Sequence, residues 1–161
     1  MVEFASPLPR LSKKSMTDKD TIGIASDHAG YELKAVLKAE LASLGFPVLD
    51  LGTTSAEASV DYPDFGRALA EAIKAGKVAR GVLVCGTGIG IAIAANRHPG
   101  IRCGVVHDET SARLTRQHND ANVIALGARL TGVEVAKACV RVFLSTAYEG
   151  GRHALRVAKL A

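Results

Sequence analysis

From Thr21 onward the apolar positions fall into short runs separated by longer stretches of helical period, whereas residues 1–20 carry no sustained period. Thr21-Ile22-Gly23-Ile24-Ala25 reads as a strand that ends in the polar loop Ser26-Asp27-His28-Ala29-Gly30. Leu33, Val36, Leu37, Leu41 and Leu44 then recur at helical spacing, and Gly45 supplies a C-terminal stop. The same reading predicts a strand over 46–51, a helix over 64–75 stopped by Gly76, and an apolar strand over 81–85 that runs into a glycine-rich turn. Helical residues from Ile89, a strand over 102–106, a helix over 108–117, a strand over 122–126 and a helix over 133–145 continue the alternation. Five βα units imply an α/β fold: a Rossmann-like, doubly wound, mostly parallel five-stranded sheet with helices on both faces. Ligands of such sheets bind beyond the carboxyl ends of the strands, so the loops after Ala25, Cys85, Val106 and Leu126 are the candidate site.

A chain of 161 residues with 48% apolar content supports one core, assigned to 21–161, with 1–20 read as a flexible N-terminal extension. The 4% aromatic content and absence of Trp suit helices packed closely on a sheet. The net charge of +4 comes from dispersed Lys and Arg, and aromatics for stacking on bases are scarce, which argues against a nucleic-acid partner. Small anionic substrates suit the positive balance if several Arg converge. Cys85, Cys103 and Cys139 are odd in number, form no C-x-x-C pair and accompany no His cluster at zinc spacing, as expected of free thiols in a reducing cytoplasm. No apolar run approaches the roughly 18 residues of a membrane span, and the start lacks the apolar core of a secretory signal.

The densest chemical signal is Cys85-Gly86-Thr87-Gly88-Ile89-Gly90, where a buried strand turns into a helix. Glycines let the backbone approach a ligand, and the helix N-terminus favours negative charge, so the loop suits a phosphate or an enediolate oxygen. A dinucleotide loop competes, but the complete G-x-G-x-x-G pattern and a downstream acidic ribose partner are lacking. Cys85 by itself reads more readily as a packed core thiol. At a strand end facing a helix N-terminus, however, a thiol gains thiolate character and can serve as the base for a proton alpha to a carbonyl. Thr87 is either a hydroxyl donor or a helix cap.

Three further clusters are weaker alone. Asp27-His28 follows the first strand and reads also as a helix cap. Arg116-Gln117-His118-Asn119-Asp120 closes a helix and reads also as ordinary helix-end polarity. Arg152 and Arg156, at i and i+4, present two guanidinium groups on one helical face that could grip a phosphate, with Arg129 a third; the alternative is a solvated basic helix end.

Taken together, the 26–30 loop, Asp61-Tyr62-Pro63, the 85–90 loop, the 116–120 segment and Gly150-Gly151-Arg152-His153 resemble the type B ribose-5-phosphate isomerases in order and spacing over essentially all of 21–161. The resemblance implies a homodimer, compatible with assembly into a tetramer, whose active sites lie at the subunit interface and need neither metal nor organic cofactor. It implies that Cys85 shuttles a proton between C2 and C1 while Thr87 and the backbone of Gly86, Gly88 and Gly90 stabilise the enediolate. Asp27 and His118 would assist ring opening. Arg152 and Arg156, with His28 and Arg129, would hold the phosphate, and Asn119 would contact substrate oxygens.

Related isomerases act on hexose 6-phosphates or four-carbon sugar phosphates. A four-carbon sugar phosphorylated at its terminal oxygen cannot close a five-membered ring, so His118 as a ring-opening group favours ribose 5-phosphate and a place in pentose phosphate metabolism. A sugar-phosphate sensor without turnover is the reading from a different class.

Overall fold

The computed structural model describes residues 20–161; the expected extension over 1–20 therefore lies, except for Asp20, outside the described residues. The elements are β1 (Ile22–Ser26), α1 (Tyr31–Ser43), β2 (Val48–Asp50), α2 (Tyr62–Lys74), β3 (Arg80–Cys85), α3 (Ile89–Asn96), β4 (Cys103–Val105), α4 (Glu109–Asn119), β5 (Val123–Gly127) and α5 (Val133–Ser145). A 3-10 turn (Gly151–His153) and α6 (Ala154–Ala158) close the chain. All strand pairs are parallel, in the order β2-β1-β3-β5-β4. The chain reverses its direction of travel between β1 and β3, so the crevice beyond Ser26 and Cys85 is the sheet's switch point.

Period-2 alternation divides the core between the two faces. Val82 and Val84 pack with Ile124 and Leu126 beneath α1, α4 and α5, whose Leu37, Leu41, Ala112, Val140 and Phe143 are buried there. Leu83 and Cys85 point to the opposite face with Val123 and Ala125, beneath Leu69 of α2 and Ile91 of α3. Leu69 is fully buried, and a Cβ added at Gly81 would stand 2.5 Å from its side chain, so α2 rests close against the strands. Truncating Leu69 to Ala would cost about 2–5 kcal/mol.

Several boundaries shift from the sequence expectation. The strand over 46–51 shrinks to Val48–Asp50 because the Phe46 N–H bonds back to the Leu41 carbonyl as part of the helix exit. The helix over 64–75 begins at Tyr62, with Pro63 in the first turn where its missing N–H costs nothing. The helix over 108–117 continues to Asn119 and ends at Asp120, in left-handed conformation with φ 46°. Arg152 and Arg156 do not share one helix: Arg152 sits in the 3-10 turn and Arg156 in α6, because Gly150 and Gly151 at φ 65° and 56° delay the helix.

Next to the switch point, Lys34 of α1 is buried, and its Nζ donates to Asp50 Oδ1 at 2.8 Å and to the Thr53 carbonyl at 2.5 Å, pinning the connection after β2. Burial pushes the Asp50 carboxyl up, but hydrogen bonds from Lys34 and Lys38 and from the Gly52 N–H outweigh it and hold the group below the usual carboxylate range. Among the described residues no helix is long and apolar enough to cross a membrane.

Candidate active site

Parallel pairing sets the ends of β1 and β3 side by side, since Ser26 is in register with Val84, and sets Cys85 beside Gly127 of β5. The exits of these strands are tied to one another. The Asp27 N–H donates to the Val84 carbonyl (3.3 Å), the Ala128 N–H to the Cys85 carbonyl (2.9 Å) and the Arg129 N–H to the Gly86 carbonyl (2.9 Å). The result is a cleft of about 520 Å³ lined by Asp27, His28, Tyr62, Cys85, Gly86, Thr87, Gly90, Ile93 and Arg129.

Within it the thiol has a defined place. Gly88, at φ 78°, turns the chain so that its N–H donates to Cys85 Sγ at 3.1 Å, and α3 starts at the next residue. A Cβ at Gly88 would press on the β5 backbone 2.9 Å away, so the loop lies directly on that strand. Thr87 Oγ1 accepts the N–H of Ile89, the first residue of α3, at 3.2 Å, and a hydroxyl that accepts in this way can also donate its proton to a ligand. The other two thiols are elsewhere: burial pushes Cys103 up to about 12 and, together with Asp108 and Glu109, pushes Cys139 up to about 11.

Asp27 Oδ1 accepts the Gly30 N–H at 3.0 Å ahead of α1. His28 Nδ1 accepts the Val60 N–H at 3.1 Å, so the ring proton sits on Nε2. The Arg129 guanidinium lies over Gly86, 3.2 Å from where a Cβ would be. This half of the site therefore combines a sulfur, backbone donors at a helix N-terminus, a hydroxyl and two groups suited to an anion.

The remaining sequence-predicted residues gather elsewhere. His118 and Asn119 end α4, which runs back against the strands, and they line a cleft of about 380 Å³ with Arg152, His153, Arg156, Val157 and Leu160. This cleft lies at the amino edge of the sheet, where Arg102, just before β4, donates to the Asn119 and Asp120 carbonyls. The His118 and His153 rings stack, with centroids 4.3 Å apart and planes 17° from parallel. Burial pushes His153 down, as do His118, Arg152 and Arg156, against Glu149. Arg116 faces inward instead, spent on Asp120 Oδ1 and on the Ala121 and Thr146 carbonyls.

One chain thus unites Asp27, His28, Cys85, Thr87, the glycines and Arg129, and separately unites His118, Asn119, Arg152 and Arg156. It does not join the two groups, and Arg129 in particular stands with Cys85 and apart from Arg152. Two polar lining residues were not among the sequence-derived candidates. Tyr62, whose Cζ would be 2.7 Å from a Cβ on Gly90, belongs to a quoted motif but carried no role; His153 follows Arg152 and is found by its stacking.

A sequence model of the Ribose/Galactose Isomerase family matches residues 22–160. Ribose-5-phosphate isomerase B of Escherichia coli (strain K12) is 48% identical over 136 residues, covering 84% of this chain and 91% of that protein. D-erythrulose-4-phosphate isomerase of Pectobacterium atrosepticum is 43% identical over 140 residues, covering 87% and 92%. The solved structure of Clostridium thermocellum ribose-5-phosphate isomerase B superposes with a TM-score of 0.85 at 51% identity, covering 87% of this chain and 94% of that one.

Proposed function

The chain belongs to the ribose/galactose isomerase family and is a sugar-phosphate isomerase of the aldose–ketose class; from that premise we propose that it interconverts D-ribose 5-phosphate and D-ribulose 5-phosphate through Cys85. The observation that carries the reading is the Cys85 sulfur, held by the Gly88 N–H at the mouth of a glycine loop that opens a helix. In the open-chain aldose the C2 proton passes to the Cys85 thiolate, and the electron pair moves onto the carbonyl oxygen to form an enediolate. Backbone N–H groups of 86–90 and the Thr87 hydroxyl stabilise that oxygen where charge develops. The thiol returns the proton to C1 while the C2 hydroxyl proton passes to the C1 oxygen, which leaves a C2 ketone and a C1 hydroxyl and regenerates the thiolate.

Ring opening needs an acid and a base on opposite sides of the hemiacetal, roles assigned to His118 and Asp27. Since these stand at opposite edges of the sheet in one chain, the reading requires two copies, each lending its amino-edge cleft to the other's Cys85. Exposed Ile89 and Ile93 of α3, beside the Cys85 cleft, supply apolar surface for such an interface. Arg152 and Arg156 from one copy would then meet His28 and Arg129 of the other around one phosphate.

A four-carbon substrate is the second reading, favoured by the Pectobacterium relative named for erythrulose 4-phosphate. The deciding experiment measures turnover of ribose 5-phosphate, allose 6-phosphate and erythrulose 4-phosphate in the presence of chelator, for wild type and Cys85→Ala. Pentose turnover highest in wild type, and at least about a hundredfold lower in the variant with KM retained, is expected. Faster tetrulose turnover would replace the substrate, and full activity of Cys85→Ala would remove the thiol from the mechanism.

A further inference from the structure

Beside the predicted ring-opening residue lies a set of groups that no step of the isomerisation uses together. His118 at the end of α4, Glu149 in the connection after α5 and His153 in the 3-10 turn place one potential ligand atom each within 4.8 Å of one another. The arrangement is anchored through the backbone: the Glu149 N–H donates to the Gln117 carbonyl at 3.1 Å, and the His153 N–H to the Gly150 carbonyl at 3.0 Å. Glu149 Oε2 already stands 3.7 Å from His153 Nε2.

We propose that His118, Glu149 and His153 form an inhibitory site for a borderline divalent transition ion, with Zn²⁺ the best match. Two imidazoles and one carboxylate with an open fourth position are a known zinc donor set, and they discriminate against Mg²⁺ and Ca²⁺, which demand more oxygen ligands. Bonds of about 2.0–2.1 Å require neighbouring ligand atoms roughly 3.3 Å apart, so the set must contract. The half-exposed Glu149 side chain can follow the ion, and one of the two stacked rings turns about its Cβ–Cγ bond to aim its lone pair at the same point. The neighbouring Arg152 and Arg156 oppose a cation, which makes this a reversible site and not a structural one. Water or an anion completes the shell at the open fourth position.

The inhibitory part rests on the proposed function: an ion on His118 occupies the nitrogen that would open the sugar ring. Pentose turnover should then fall while an open-chain four-carbon substrate is spared. The experiment titrates Zn²⁺ into the chelator-stripped full chain without substrate, by calorimetry, and repeats it with Glu149→Gln and with Cys85→Ser, since the Cys85 thiol is the competing zinc ligand. One ion per chain, weakened at least about tenfold in Glu149→Gln and retained in Cys85→Ser, is expected, with the stripped Glu149→Gln enzyme keeping wild-type activity. Unchanged affinity in Glu149→Gln, or lost binding in Cys85→Ser, overturns the site. Zinc binding that leaves ribose 5-phosphate turnover untouched overturns the inhibition. If the stripped wild type fails to turn over ribose 5-phosphate at all, the functional reading falls, while the calorimetry still decides the site.

Discussion

Gly127, the last residue of β5, lies so close to Thr87 that a methyl group on its Cα would stand 2.6 Å from the Thr87 carbonyl carbon and oxygen. The obstacle is backbone, so a side chain cannot swing away to relieve it. Gly127→Ala must push the 85–90 loop off the strand and move its donors by a fraction of an ångström or more. The expected outcome is a kcat about a hundredfold lower with the fold intact, checked by steady-state kinetics beside circular dichroism. Unchanged kcat would show that the loop's seat on β5 does not position the reacting groups.

Thiol chemistry should be confined to one cysteine. With burial pushing Cys103 up to about 12 and Cys139 up to about 11, neither offers appreciable thiolate at pH 8. Iodoacetamide at that pH is expected to label Cys85 first, with loss of activity in step and with protection by bound sugar phosphate. Peptide mass spectrometry reads the site, and labelling of Cys103 ahead of Cys85 would contradict it.

Asp50→Asn should destabilise the protein by about 2 kcal/mol at pH 7, because buried Lys34 loses its carboxylate counter-charge and keeps the Thr53 carbonyl and the Tyr31 ring, while Asp50 itself is partly solvated. The pH dependence has a defined sign. The folded carboxyl is held below its ordinary value, so its contribution is complete above about pH 4 and is lost as pH falls below that through the folded value. Urea unfolding at pH 7, 4 and 3 should show wild type and Asp50→Asn converging at the acid end; a gap that widens there would refute the assignment.

Mixing two inactive variants tests the sharing of sites. In a two-fold dimer built as proposed, Cys85→Ala paired with His118→Asn leaves one site with both native groups and one with neither. Unfolding and refolding the two variants together should restore about a quarter of wild-type activity, since half the dimers are mixed and half their sites are whole. No recovery would place Cys85 and His118 in the same chain's site or remove one of them from catalysis.

The elements were legible wherever a local device marked them. Gly45 and Gly76 end α1 and α2 at φ 83° and 73°, and α5 spans 133–145 as its periodicity predicts. Glycine at a left-handed position and a 3.6-residue apolar period are properties of a few adjacent residues. The order β2-β1-β3-β5-β4 was not legible, because inserting β5 between β3 and β4 depends on pairing across distant segments. The same limit governs the site. Asp27, Cys85 and the glycine loop announce themselves at strand ends, whereas the stacking of His118 on His153 joins residues 35 positions apart and leaves no local trace. Scanning for zinc spacing could not find Glu149 and His153 beside His118 for that reason.

An all-parallel sheet sends every strand exit one way and every helix exit the other. On the proposed pairing, this polarity makes a lone chain chemically silent: it can hold a sugar phosphate at neither pole with both halves of the machinery. Newly made chains would begin to turn over substrate only on meeting one another. At high dilution, activity would therefore rise with the square of protein concentration, and the concentration at which that curvature straightens would read out the dissociation constant of the pair.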